Sequence, residues 1–297
     1  MPHLKAGDTI AVLALSSSMH GCNEEVRGYA ERRLTQELGL NVVYGTNARA
    51  TGPRNVVPVG LRVDDLHNAF ADPNIAAIIM FRGGYHLNDI LPYVDWDLVR
   101  QNWKPFIGYS DATAFQLALY ARTSLMSFSG PMFTNFGELK LFEYSMEYFR
   151  GCLFEDGPYR IEASEEWHDD PWPANQDDRM PIPNPGPFNE SGNTTLQMFV
   201  RRLEALTQRP DFSGVRAVVI GRFQKLGVKD IHTCVFDEEL IACIREREDV
   251  FRGRIVIANA NTGHAAPYAT YPIGGIVRVA SVQGKPVIEV LEHDRGQ

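Results

Sequence analysis

The 297 residues include 29 Lys and Arg against 37 Asp and Glu, a formal charge of −8, with 44% hydrophobic and 22% charged side chains. This is ordinary globular composition, which excludes disordered, collagen-like and coiled-coil chains and leaves room for one large domain or two modest ones. The acidic balance, unrelieved by any basic cluster, excludes a nucleic-acid polymer as partner, because a phosphate backbone needs a basic surface.

Cys22, Cys152, Cys234 and Cys243 stand far apart, without a CxxC pair or a histidine at ligand spacing. They read as reduced thiols, and neither a metal nor a cofactor is expected. The opening stretch, MPHLKAGDTIAVLALSSS, lacks the basic start and small-residue cleavage site of a signal peptide. No run approaches the ~20 apolar residues of a membrane span. The expectation is a cytoplasmic protein with no membrane partner.

In chain order, residues 9–15 (TIAVLAL) form a continuous apolar run before the polar 16–18, the pattern of a strand buried on both faces. Residues 23–38 carry Val26, Tyr29, Ala30, Leu34 and Leu38 near helical spacing, closed by Gly39 as a C-cap. A short strand is predicted at 40–44, and a helix at 62–71 stopped by Asp72-Pro73. Residues 75–81 (IAAIIMF) read as a buried strand running into Arg82-Gly83-Gly84, with a helix beginning at 87–91. A strand at 104–107 leads through Gly108-Tyr109-Ser110-Asp111 into an apolar helix at 112–121. Strands alternating with helices imply a parallel sheet covered on both faces, with functional groups at the carboxyl ends of its strands.

Composition shifts after about residue 135, and 162–193 is rich in Pro, Asp, Glu, Asn and Trp without periodicity. Beyond it come a helix at 195–206, strands at 215–221 and 254–258, and a helix at 237–246 between them. Two alternating runs, 276–282 and 287–291, flank Gln283-Gly284-Lys285, a hairpin signal. The parse is an N-terminal α/β lobe at 1–135, an irregular connection and substrate loop at 136–193, and a C-terminal lobe at 194–297.

Residues 106–115 (FIGYSDATAF) are the sharpest chemical feature. A serine on a tight strand-to-helix turn projects its Oγ from the sheet edge, and the amide of Asp111 behind it is free for an oxyanion. The same residue types also cap helices, so Ser110 or Asp111 as a plain N-cap is the competing reading. Gly83 and Gly84 allow close backbone approach to a ligand, or make an ordinary tight turn. A serine nucleophile needs a base. His264, in NTGHA after the strand at 254–258, is placed for that, with a solvated loop histidine as the alternative.

Taken together, the N-terminal LKAGDTIAVLALSSS, 72–95 (with FRGGYH), 104–120 (KPFIGYSDATAFQLALY), 128–132 (FSGPM), 215–224 (VRAVVIGRFQ) and 263–275 (GHAAPYATYPIGG) resemble, in order, segments of the LD-carboxypeptidase family of serine peptidases, especially its microcin C self-immunity branch. The resemblance implies an α/β fold: an N-terminal parallel-sheet lobe with flanking helices and a C-terminal α/β lobe with a mixed, partly barrel-like sheet. It implies a Ser–Glu–His triad with Ser110 as nucleophile and His264 as base. The amides of Gly84 and Asp111 then form the oxyanion hole, with Gly83 against the substrate.

The glutamate is read in two ways. Backward from Phe199-Val200-Arg201, Glu190 stands where the triad acid belongs. Forward, Gly192-Asn193-Thr194-Thr195-Leu196 resembles the remnant of a GGNL loop, and the acid's strand is lost. Pro183, Pro185 and Pro187 oppose a sheet strand before Glu190. The expected substrate is an aminoacyl or peptidyl group joined by an amide to a modified nucleotide, with Trp167 or Trp172 stacking on the base or else packing within the protein. The alternatives are a murein LD-carboxypeptidase and a weakened relative that binds without cleaving. The resemblance also implies a homodimer.

Overall fold

The computed structural model describes residues 3–138, 142–165, 196–222, 242, 244–264 and 266–293. The chain divides into two compact units: Met1–Ile161 with Pro267–Arg278 and Glu289–Gln297, and Glu162–Ala266 with Val279–Ile288.

The first unit is built on a six-stranded sheet. Its strands are β1 (Thr9–Leu13), β2 (Asn41–Tyr44), β3 (Ile75–Met80), β4 (Phe106–Gly108), β5 (Ser127–Ser129) and β9 (Tyr271–Ile273), in the order β2-β1-β3-β4-β5-β9. The first five run parallel, and β9 closes the edge antiparallel to β5. Alternation along the strands sends residues into two cores. Ile10, Val12, Ala77, Ile79 and Phe81 enter one, with Phe142, Met146 and Phe149 of α5 (Phe142–Leu153). Ala11, Leu13, Ile78, Met80 and Phe106 enter the other, with Leu66 and Phe70 of α2 (Val59–Ala71) and Phe115 and Leu119 of α4 (Ala112–Thr123). A strand buried on both faces must be apolar throughout, which is why the run after Thr9 does not alternate. Each large apolar side chain so enclosed contributes roughly 1.5–3 kcal/mol.

Local chemistry sets the helix ends. Asn23 caps α1 (Glu24–Arg32), its Oδ1 accepting from the amides of Glu25 and Val26, and Glu24 and Glu25 complement the dipole of the first turn. A π-turn over Arg33–Glu37 extends α1, and Gly39, at φ 69°, ends it as predicted. Asp95 caps α3 (Trp96–Gln101) in the same manner as Asn23.

Several boundaries differ from the sequence reading. The helix expected at 87–91 is a 3-10 stretch, Leu87–Tyr93, because Pro92 inside it lacks the N–H an α-helix needs. The strand expected at 104–107 begins at Phe106, since buried Lys104 uses its Nζ to bond the carbonyls of Ala69 and Asp72. β5 and β9 were not anticipated, each too short to show a pattern. Later in the chain β10 (Ile276–Val282) and β11 (Lys285–Glu292) form the expected hairpin. Its turn is two residues, with Gln283 at φ 51° and Gly284 at 77°, so Lys285 already belongs to the strand. Glu289 and Val290 of β11 pair with β6 (Tyr159–Arg160).

The second unit contains α6 (Leu196–Thr207), β7 (Ala217–Arg222), α7 (Glu248–Phe251) and β8 (Ile255–Gly263), with β7 and β8 parallel in the register Ala217↔Ile255. The helix expected at 237–246 lies largely outside the described residues. No helix among the described residues is long and apolar enough to cross a membrane.

Candidate active site

The order β2-β1-β3 places the direction change of the sheet between β1 and β3, and the loops leaving their carboxyl ends diverge there. Such a divergence leaves a crevice at the strand ends. Three segments meet in it: Ser16–Ser17 after β1, Gly83–His86 after β3, and the Tyr109–Asp111 turn between β4 and α4.

Ser110 sits in the left-handed region at φ 59°, one of few non-glycine residues to do so. Holding a side chain there costs on the order of 1–3 kcal/mol and persists only where its surroundings force it. Those surroundings are visible. A Cβ on Gly108 would stand 2.8 Å from Ala112 Cβ and 3.1 Å from Met80 Cγ, so the strand enters the turn through a space only glycine fits. Buried Gln116 of α4 donates to the carbonyls of Gly108 and Phe128, at 3.0 and 2.7 Å, tying helix to strand ends. The first helical amides close back on the turn, Ala112 N to Tyr109 O and Thr113 N to Ser110 O.

The capping alternative for Asp111 is not what forms. Its side chain makes no capping bond to α4. It turns to the loop after β3, where Oδ2 accepts from the amides of His86 and Leu87, both at 2.9 Å, and from Ser16 Oγ at 2.5 Å. Ser17 Oγ donates to Gly83 O at 2.7 Å. One carboxylate and two hydroxyls therefore fix the Gly83–Leu87 backbone against the Tyr109–Asp111 turn.

Gly83 and Gly84 are required by that closeness. A Cβ on Gly83 would lie 3.2 Å from both Cβ and Oγ of Ser110, and one on Gly84, at φ 156°, would lie 2.4 Å from Ser16 Oγ. Neither the Gly84 nor the Asp111 amide donates to a backbone carbonyl among the described residues. Unspent donors beside a serine are what an oxyanion needs.

Arg62, buried at 2% exposure, braces the crevice from beneath. Its Nη1 donates to Leu15 O at 2.9 Å and His86 O at 2.6 Å, and Nη2 reaches Asp89 at 3.4 Å. Arg62→Met is expected to lower the unfolding free energy by about 2 kcal/mol, because those carbonyls stay buried without a donor. Urea denaturation followed by circular dichroism measures this; a midpoint equal to the parent's would remove Arg62 from the bracing role.

In the second unit, His264 directly follows β8, after Gly263 at φ 103°. It is half-buried, and burial pushes the imidazole below its ordinary value. A neutral ring near pH 7 is the form a general base requires. Glu190, Trp167 and Trp172 lie outside the described residues. Ser16, Ser17, Arg62 and the carboxylate role of Asp111 were not foreseen, although the serine cluster after a buried strand is the pattern that would have raised the first two.

The chain matches the LD-carboxypeptidase N-terminal domain over residues 10–130 and the LD-carboxypeptidase C-terminal domain over residues 188–279. The chain belongs to the LD-carboxypeptidase family, whose members are peptidases and hence hydrolases. It is 33% identical to "Putative carboxypeptidase YocD" of Bacillus subtilis, over 98% of each chain. An MccF-like protein from Bacillus anthracis has the same fold, with a TM-score of 0.88, 34% identity and 98% of both chains covered. The Microcin C7 self-immunity protein MccF of Escherichia coli is 30% identical over 56% of this chain and 49% of its own.

Proposed function

We propose that the protein is a serine hydrolase that cleaves the amide joining an aminoacyl or peptidyl group to a modified nucleotide. The observation that carries this reading is Ser110, held at φ 59° against Gly83 at the carboxyl edge of β4. Ser110 Oγ attacks the amide carbonyl carbon while His264 takes its proton, with Glu190 orienting the imidazole. The carbonyl oxygen gathers negative charge and is held by the amides of Gly84 and Asp111. Collapse breaks the carbon–nitrogen bond, and His264 returns the proton to the departing amine. Water then attacks the acyl-serine ester by the same path, releasing the carboxylic acid and restoring Ser110. Gly83 lines the acyl side, and Trp167 or Trp172 stacks on the base.

The choice of substrate is supported by coverage: the likeness to the MccF-like protein runs the whole chain at 34% identity. MccF itself has been seen in complex with aspartyl sulfamoyl adenosine and with glutamyl sulfamoyl guanosine, which belong to the substrate class proposed here.

Incubating the purified protein with aspartyl sulfamoyl adenosine and, separately, with a muropeptide tetrapeptide tests the proposal by chromatography. Release of aspartate from the first is expected. Cleavage of the tetrapeptide alone would replace the nucleotide reading with a murein one, and binding without any product would make the protein a sequestering relative. Because burial lowers His264, kcat/KM is expected to rise with pH on a limb whose inflection lies below the free imidazole value of 6.5. A limb centred above that value would assign the base to another group.

A further inference from the structure

We propose that Glu138 is a positioning residue for the nucleophile turn: acting through Asn135, Tyr268 and Tyr109, its carboxyl sets the alignment of Ser110. The inference rests on the reading of Ser110 as nucleophile, and it concerns residues of the first unit only.

Glu138 follows the 3-10 turn Phe133–Gly137 and is 5% exposed. Asn135 Nδ2 donates to its Oε1 at 2.5 Å and to the Tyr109 hydroxyl at 3.3 Å. The rings of Tyr109 and Tyr268 lie 5.1 Å apart, and the Tyr268 hydroxyl hydrogen-bonds both Tyr109 and the Glu138 carboxyl. The four side chains form a closed ring in which Asn135, Glu138 and Tyr268 are buried and Tyr109 is partly buried. Tyr109 is the residue immediately before Ser110. Asn135 also reaches the other wall, since its Oδ1 accepts from Met132 N at 2.9 Å and Met132 Cε stands 3.6 Å from where a Gly83 Cβ would be.

With Glu138 ionised, the donors and acceptors of this ring balance in one direction. An ionised Glu138 accepts from Asn135 and Tyr268, Tyr268 accepts from Tyr109, and Tyr109 accepts the second Asn135 proton. A protonated Glu138 carries its proton on Oε2, which has no partner among the described residues. Oε1 is then no longer anionic and holds the Asn135 and Tyr268 donors more weakly, so the side chains that position Tyr109 loosen. The change is delivered to a peptide whose next residue has no conformational slack.

The groups facing Glu138 are few. Arg33, from the extension of α1, supplies the cation, but its Nη1 donates to the carbonyls of Phe136 and Glu138, and it also faces Glu37 and Glu143. Tyr109 faces Glu138 from the β4–α4 turn and Tyr268 from the Pro267–Arg278 segment, both neutral at ordinary pH. Burial outweighs these partners and pushes the carboxyl up to about 7. Ionisation therefore falls inside the working range of a hydrolase.

The test uses the full chain with ¹⁵N amide spectra and, in parallel, the rate at which a fluorophosphonate labels Ser110, both from pH 5 to 9. The amides of Tyr109, Ser110 and Asp111 are expected to shift with an inflection near pH 7. The labelling rate should carry that inflection in addition to the lower one of His264. Glu138→Gln is expected to abolish the upper inflection and to lower kcat about tenfold with KM unchanged. Tyr268→Phe keeps the carboxyl but opens the ring, so the amide response at Ser110 should vanish there too, which decides the matter if Glu138→Gln does not fold. An unchanged inflection in either variant, or none in the parent, would overturn the proposal. Absence of labelling in the parent at every pH would instead remove Ser110 as nucleophile, with the amide titration still reporting the coupling.

Discussion

Ser110→Ala is expected to lower turnover of an acyl sulfamoyl adenosine by about 10⁴-fold or more, while KM and stability stay near those of the parent. Alanine keeps the Cβ and therefore keeps the left-handed strain at φ 59°. Ser110→Gly loses the same activity but sheds that strain, so it should unfold at a higher denaturant concentration, by about 1 kcal/mol. The pair separates two properties of one residue: chemistry carried by Oγ and strain carried by the backbone. Steady-state kinetics with denaturant melts on both variants measures them. Turnover within tenfold of the parent in Ser110→Ala would end the nucleophile assignment.

Asp111→Ala should fail differently, losing both rate and stability. Its carboxylate accepts from two amides and one hydroxyl, and Leu87 beside it is fully buried. Leaving such donors without an acceptor costs about 1–3 kcal/mol each, so a total destabilisation of about 3 kcal/mol is expected. The freed loop also carries Gly84, and loss of one aligned oxyanion donor is worth about 10²–10³ in kcat. Asp111→Asn retains an acceptor and should fall between. A variant that loses rate without stability would place Asp111 on the substrate rather than under the loop.

The parallel sheet and the tight strand-to-helix turn at Ser110 were legible in the amino acids because both impose local rules. A strand covered on two faces must be apolar along its length, as in 75–81, and a strand passing sharply into a helix asks for a small residue such as Gly108. The bracing of the site was not legible. Asp111 meets His86 and Ser16, which are 25 and 95 positions away in the chain. No periodicity encodes such a contact. Glu138 stands in FTNFGE, where nothing marks a carboxyl for burial; its surroundings come from α1, the turn before α4 and the segment carrying Tyr268. β5 and β9, three residues each, are specified by their neighbours more than by themselves.

The pairing of β5 with β9 has a consequence for the order in which the protein comes into being. Ser127 pairs with Ile273, so the edge of the first sheet is completed by residues that emerge only after Glu162–Ala266, the larger part of the second unit, has been synthesised. Until then β5 exposes unpaired backbone donors and acceptors, the kind of edge that recruits foreign strands. Domains form from the N-terminus as the chain lengthens, and pairings this distant in sequence are slow. The bonds of Asp111 to Ser16, His86 and Leu87 all lie earlier in the chain and have no such wait, whereas Tyr109 meets Tyr268 only when that later segment emerges. The protein therefore acquires the bracing of its Ser110 turn early and its last sheet edge late, and the interval between them is when the nascent chain most needs protection from its neighbours.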